Sequence, residues 1–403
     1  MILNKYSLEQ IATIKGGKRL PKGHNLQEYP TNYPYIRARD IYGGKIHFSE
    51  PRYLADDTYS IIKNYIVNTE DVVITIVGAN IGDIGYITPE FDGANLTENA
   101  AKITINKDVC DPNFLKFLLV GQKSTFNYIA SGAAQGKLGL YKIKGFEVEL
   151  PPLQEQIGIA DILSAYDDLI ENNRRRIQLL EESARLLYRE WFVRLRFPGH
   201  EHVKVVDGVP EGWRRVAVPE VISIKPKEKA EKGESIRSIP MSCLSEVGMT
   251  IDRSGIEVRE KSTSVKFRNG DVLFARITPC LENGKTGYVD MLEEGELACG
   301  STEFIVLRGR DVSSYYTYCL SRTYDFRENA IKSMIGSSGR QRVQESCFSE
   351  YMVYVPPRHI LSFFDDNVGT IFNQIKRLSD QSYSLCQARD ILLPRLMNGE
   401  IAV

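Results

Sequence analysis

The sequence has no surplus of either charge. It carries 51 lysines and arginines against 52 aspartates and glutamates, a formal net charge of −1. A free-standing nucleic-acid binder usually shows a basic excess. Any contact with DNA must therefore come from local basic patches, or from a partner that brings charge. Cysteine is sparse and unpatterned. The seven residues Cys110, Cys243, Cys280, Cys299, Cys319, Cys347 and Cys386 include no Cys-x-x-Cys and are odd in number. That reads as reduced thiols in a cytosol rather than a disulfide frame. No apolar run approaches the roughly 20 residues that cross a bilayer. The opening stretch Met1–Glu9 has no apolar core of the signal-peptide kind. A cytoplasmic protein with no membrane partner is expected.

Catalytic signatures are missing as well. There is no G-x-G-x-x-G after a strand, no G-x-x-x-x-G-K-[ST] and no H-E-x-x-H. The two Pro-Pro pairs, Leu150-Pro151-Pro152-Leu153 and Val355-Pro356-Pro357-Arg358, lack the acid or amide before and the aromatic after that amino-methyltransferases use. His200-Glu201-His202 reads as a solvated linker rather than a metal site. Glu257-Val258-Arg259-Glu260-Lys261 resembles a nuclease Glu-x-Lys but has no upstream Asp on a matching strand. No Cys has a spaced His partner. The expectation is a chain with no catalytic residues, no metal and no cofactor of its own.

What is present is a chain written twice. At roughly 100–200 residues per domain, 403 residues imply two to three domains. Leu8, Ile11 and Ile14 match Val218, Val221 and Ile224 at a constant offset. Each half then has an apolar strand opened by an acid, Asp71-Val72-Val73-Ile74 and Asp271-Val272-Leu273-Phe274. Each strand runs on to a Gly-aromatic turn, Gly85-Tyr86-Ile87 and Gly287-Tyr288-Val289. A small, polar loop follows, Ser131–Lys137 in one half and Gly336–Arg342 in the other. A final strand then ends in Pro-Pro. Self-similarity of this kind marks a duplicated unit.

After each Pro-Pro comes one long helix, because proline fits a first helical turn and stops a strand. The first should run from about Leu153 to about Arg194, the second from about Arg358 to Asn398, with Gly399 as C-cap. Leu163, Ile170 and Ile177 form one heptad position, with Asn173, Leu180 and Leu187 in the position three further on. The second helix carries Phe364, Ile371, Leu378, Leu385 and Leu392 at strict sevens. Such a seam is a coiled-coil signature, and Asn173 within it is a candidate for fixing register. Helices of about 40 residues would be about 60 Å long, too long to bury a seam inside one small domain. The expected fold class is α+β: two similar mixed α/β heads joined by two long antiparallel coiled-coil helices, with a pseudo-two-fold repeat. The expected boundaries are head one at 1–151, first helix at 152–196, a Pro/Gly linker at 197–212, head two at 213–356, and second helix with tail at 357–403.

Basic and amide residues recur at comparable places. Head one offers Lys15, Lys18, Arg19, Lys22, Arg37, Arg39, Asn80, Gln135 and Lys137. Head two offers Lys225, Arg276, Asn283, Lys285, Ser338, Arg340, Gln341 and Arg342. Arg and Lys reach guanine O6/N7, and Asn and Gln pair with adenine N6/N7. Gly-rich flanks let backbone approach phosphates. The alternative for each is an ordinary solvated loop.

On these features the chain resembles the specificity subunits of type I restriction-modification systems. The matching residues include Tyr35-Ile36-Arg37-Ala38-Arg39-Asp40-Ile41, Leu150-Pro151-Pro152-Leu153-Gln154-Glu155-Gln156-Ile157, Leu187-Tyr188-Arg189-Glu190-Trp191-Phe192 with Phe197-Pro198-Gly199, and the run Leu392–Ile401. The second repeat departs from the first, since Pro356-Pro357-Arg358-His359-Ile360 lacks the Glu-Gln. The resemblance implies that each head reads one half of a split, asymmetric site on double-stranded DNA while the helices set the gap. It further implies two modification subunits, which bring S-adenosylmethionine and flip the target adenine, and two restriction subunits, which bring ATP and Mg. Arg174-Arg175-Arg176 and Glu181-Glu182 are candidate docking surface for those partners. Two other readings stay open: a DNA-reading subunit whose single partner both methylates and cleaves, and a non-enzymatic coiled-coil scaffold.

Overall fold

The computed structural model describes residues 3–131, 136–229, 235–260, 264–337 and 339–403. The chain forms two compact units, Met1–Asp168 with Cys386–Val403, and Leu169–Leu385. Each unit holds one head and a stretch of both long helices.

In the first unit, strand Asn4–Ser7 leads through the short helix Leu8–Ile11 into strand Ala12–Gly16. The main sheet has the antiparallel order Ala12–Gly16, Ala100–Ile105, Val72–Thr75, Ile84–Tyr86. Val72-Val73-Ile74 lacks polar alternation because both of its faces are covered, a place that suits β-branched side chains. Val72 and Ile74 pack with Ile11, Phe114 and Phe126, and Val73 packs with Ile36, Ile41 and Phe91. Helix Pro112–Val120 starts on Asp111, whose carboxylate accepts the Phe114 N–H at 2.8 Å, with proline at its first turn. The head closes where Glu147–Leu150 pairs antiparallel with Asn4–Ser7. Pro151-Pro152 then stops the strand, and the first long helix runs Leu153–Tyr188.

The second unit repeats this plan. Strand Arg214–Ala217, helix Val218–Val221 and strand Ile222–Ile224 come in the same sequence. Its main sheet has the order Ile222–Ile224, Phe304–Gly309, Val272–Ala275, Thr286–Tyr288. Register repeats too: Val72 faces Ile103 and Tyr86 as Val272 faces Leu307 and Tyr288. Among the described residues each head has one parallel pair, Tyr35–Ile36 with Asn95–Leu96 and Ile236–Ile239 with Ala298–Gly300. Head two extends this pair with strands Glu257–Arg259 and Val265–Phe267. Strand Met352–Val355 closes on Arg214–Ala217, and the second long helix runs Arg358–Met397. Gly399 follows it in the left-handed region, at φ 71°, as a glycine stop requires.

The acid that opens each central strand is buried, Asp71 at 3% and Asp271 at 1% exposure. Each accepts a backbone N–H from three residues earlier, Asn68 at 2.8 Å and Arg268 at 2.9 Å. Asp71 also takes the Thr104 hydroxyl at 2.6 Å and faces Lys102 at 3.4 Å. Arg308, at the place equivalent to Thr104, donates twice to Asp271, at 2.6 and 2.7 Å. A carboxylate removed from water must be compensated in this way.

The long helices run antiparallel within each unit. In the first, Asp167 binds Arg389 at 2.6 Å, while Ile159 and Leu163 pack with Leu396 and Leu392. Gln156, from the Pro-Pro-Leu-x-Glu-Gln run, is buried and ties the helix to the head. Its side chain accepts the Asp111 N–H at 3.0 Å and donates to Val109 O at 3.1 Å and Pro151 O at 2.8 Å. In the second repeat the matching position is Leu361, which is buried in the apolar core. In the second unit, Asn173 donates to Gln381 at 3.3 Å, and Tyr188 meets Phe364 with ring centroids 6.2 Å apart. A π-helical turn, Arg189–Val193, follows the first helix. Trp191 and Phe192 are both buried there, with Phe364 and Tyr316 4.7 and 4.9 Å from the Phe192 ring.

Of the expected seam residues, Leu163, Asn173, Phe364 and Leu378 are buried. Ile170, Ile177, Leu180, Leu187, Ile371, Leu385 and Leu392 are half-buried. Next to Leu187 and Ile371, the neighbours Tyr188 and Phe372 take the buried places, as happens when a 3.6-residue helix drifts against a seven-residue repeat. One expectation is overturned. Glu181, placed by pattern on an exposed docking flank, is 3% exposed. It accepts the Met249 N–H at 2.8 Å and the Tyr318 hydroxyl at 2.6 Å, with Arg322 3.9 Å away. Glu182 and Arg174–Arg176 are exposed.

Two predictions follow from buried charge. Glu181→Ala leaves the Met249 N–H and the Tyr318 hydroxyl without their acceptor and Arg322 without its counter-charge, and should cost about 3–5 kcal/mol. Denaturant melts should show a lower midpoint for the second unit, and an unchanged midpoint refutes the assignment. Burial holds the Lys116 ammonium down to about 8, against the pull of Asp167, because that carboxylate is already taken by Arg389. Between about 8 and the ordinary lysine value near 10.4, the unfolded chain binds more protons, so stability rises with pH across that window and is lost as pH falls. Lys116→Met should therefore melt higher than the parent at pH 7, and the gap should close toward pH 10.

Candidate nucleic-acid interface

In head one the backbone after the first sheet strand turns sharply at Gly17, where a Cβ would lie 2.1 Å from the Thr97 carbonyl oxygen. Only glycine allows this approach. It is fixed by Gly17 N–H to Ala100 O at 3.0 Å and Lys18 N–H to Leu96 O at 2.9 Å. The turn delivers Arg19 to a groove of about 480 Å³ whose lining includes Tyr35, Arg37, Arg39, Glu98 and Asn99. Arg37 is held on three sides, by the Asp40 carboxylate at 2.9 and 2.8 Å and by Glu50 O at 2.7 Å. Arg39 reaches Glu50 at 3.1 Å, and Arg19 reaches Glu98 at 3.0 Å. Lys18 lies over the Tyr65 ring at 5.2 Å. Lys15, Lys22, Asn80 and Lys137 are exposed, Asn80 on the turn after the central strand.

Head two gathers its candidates around the extension of its central strand. Arg276 donates to Glu345 at 3.2 Å and to Val343 O at 3.2 Å, and Lys225 binds the same Glu345 carboxylate. In head one the equivalent positions are Ile76 and Leu140, which share the apolar core. An ion pair thus replaces an apolar pair at one place in the fold. Arg342 grips Glu303 through Nε at 3.0 Å and Nη2 at 2.7 Å, and this holds the Glu303 carboxyl below the usual carboxylate range. The Gln341 N–H donates to the Thr278 hydroxyl at 3.0 Å. Lys285 donates to Met241 O at 3.4 Å, and Asn283 to Glu246 at 3.1 Å. Arg340 is exposed. Gln135 and Ser338 lie outside the described residues.

The basic candidates were visible in the sequence. Their carboxylate partners Asp40, Glu50, Glu98, Glu303 and Glu345 were not singled out. A signal existed for two positions: the duplicated strand entries Thr97-Glu98-Asn99-Ala100 and Ser301-Thr302-Glu303-Phe304 align through the shared register. His200-Glu201-His202 forms an exposed turn. Among the described residues, no group of three or more His, Cys, Asp or Glu is placed to hold a metal ion. Nor, among those residues, is any helix long and apolar enough to cross a membrane.

Comparison with known proteins agrees with this architecture. The family model for the type I restriction modification DNA specificity domain matches residues 3–182. The chain is similar to the type I restriction enzyme MjaIX specificity subunit of Methanocaldococcus jannaschii, at 24% identity over 92% of this chain and 90% of that protein. It is similar also to the HindI specificity subunit of Haemophilus influenzae, at 22% identity over 98% and 99%. The crystal structure of the type I S subunit from M. genitalium shares its fold, with a TM-score of 0.58 at 15% identity over 98% of this chain and 96% of that one. The family model thus covers the first head and most of the first long helix, and the chain is similar nearly from end to end to specificity subunits of type I restriction enzymes.

Proposed function

We propose that each head reads one half of a split, asymmetric DNA site, that the paired helices set the gap between halves, and that all chemistry lies on partner chains. The observation that carries this reading is the repeat itself. One sheet plan with one register appears twice, and at the same place each copy presents a different set of polar side chains. Two equivalent scaffolds with unlike edges suit two unlike half-sites. Two modification subunits would supply S-adenosylmethionine and two restriction subunits ATP and Mg. Exposed helix positions such as Arg174–Arg176 and Glu182 offer surface for docking them. The carboxylates that pair with Arg37, Arg39 and Arg276 keep the free chain near neutral, so phosphate attraction in the complex would depend partly on those partners.

The decisive experiment co-expresses this chain with its modification subunit and maps modified adenine across the host genome. A split motif that appears only with this chain is the expected result. Methylation that is independent of the chain overturns the reading. One heptad added to each long helix lengthens the pair by about 10 Å, and the gap in the motif should grow by about 3 base pairs at 3.4 Å each. An unchanged gap removes the ruler. Arg340→Ala should weaken binding evenly across sequences and flatten the salt dependence by about one charge, which titrations at several salt concentrations would read out.

A further inference from the structure

The two heads share one backbone frame at the end of the central strand. In head one, Ile76 N–H donates to Asn99 O at 2.8 Å, and Leu138 N–H donates to Ile76 O at 2.9 Å. In head two, Arg276 N–H donates to Glu303 O at 3.0 Å, and Val343 N–H donates to Arg276 O at 2.9 Å. One residue further, Val77 bridges Lys137 and Ile277 bridges Arg342. Asn99 and Glu303 therefore start from equivalent backbone positions, and so do Lys137 and Arg342. The frame is constant and the side chains on it are not.

We propose that these paired positions, Asn99 with Lys137 and Glu303 with Arg342, are specificity-determining residues that make the two heads read different bases. The proposal rests on the reading of the heads as DNA-binding, and it assigns which residues discriminate. In head two, Glu303 is a positioning residue. It occupies Nε and one hydrogen of Nη2 of Arg342, which fixes the plane of the guanidinium. Nη1 and the second Nη2 hydrogen remain as a two-donor edge on a side chain that is 46% exposed. That fork matches O6 and N7 of a guanine in the major groove. Arg276, the other arginine on this frame, turns Nη1 to Glu345 and Nη2 to Val343 O, is only 19% exposed, and serves as scaffold. In head one the carboxylate is replaced by the amide of Asn99, which lines the groove with Arg19 and Arg37. An amide offers the donor and acceptor that adenine N6 and N7 require. Lys137 supplies an exposed point charge rather than a fork.

The test uses the complete complex with its modification subunit. Methylation motifs are mapped for the parent, for Arg342→Lys, for Glu303→Gln and for Asn99→Asp, and binding of the parent motif is titrated across salt concentrations. Arg342→Lys keeps the charge and removes the fork. Arg342→Lys and Glu303→Gln should both relax the same single base pair of one half-site, by about tenfold or more in preference, with the salt dependence unchanged. Asn99→Asp should alter one position of the other half-site only. A uniform loss of affinity with the motif unchanged marks phosphate contact and overturns the assignment. So does a motif that none of the substitutions moves. A parent complex that recognises no split motif overturns the DNA-reading function itself, a result separate from failure of the pair.

Discussion

In each head a carboxylate has been taken out of water at the start of the central strand, and the geometry of everything downstream is referred to it. Asp71 and Asp271 hold the preceding turn through a backbone N–H and reach across to the neighbouring strand, to Thr104 and Lys102 in one head and to Arg308 in the other. A shift of that neighbour by one residue would turn its side chains to the opposite face and leave a buried charge unpaired, at a cost of several kcal/mol. Register is therefore fixed at one end of the strand, and the positions at its other end are fixed with it. The two heads satisfy the same demand with different partners, which is how a duplicated scaffold can drift in sequence and keep its frame.

Much of this is legible in the sequence alone. The repeat, the Pro-Pro junctions and the long helices are local patterns, written in spacing and in residues with narrow backbone preferences. Gln156 belongs to a run that stands out in the sequence, and it proves to be the buried link between helix and head. What pattern could not give was pairing at a distance. Glu181 looks like an exposed flank residue on a heptad wheel. Only the packing of Tyr318, Met249 and Arg322 around it makes it interior. Arg342 was recognisable as a basic loop residue, but its partner Glu303 lies far off in sequence and enters through the sheet register. The near-zero net charge acquires a physical meaning at the same point. Many of the candidate cations are matched by an acid within reach, so the surface is patterned rather than uniformly basic.

The first unit also has a history that its final packing conceals. Its core includes Leu396, with Leu392 and Ile401 against it, and these residues follow the whole of Leu169–Leu385 in the chain. At about 5–20 residues per second of synthesis, the first head waits roughly ten to forty seconds for the segment that covers its apolar face. Over that interval the second head can be made and fold, while the first stands incomplete with a greasy flank open to chaperones or to neighbouring chains. The first head is thus made before the second and finished after it, so for the two heads the order of synthesis is the reverse of the order of completion.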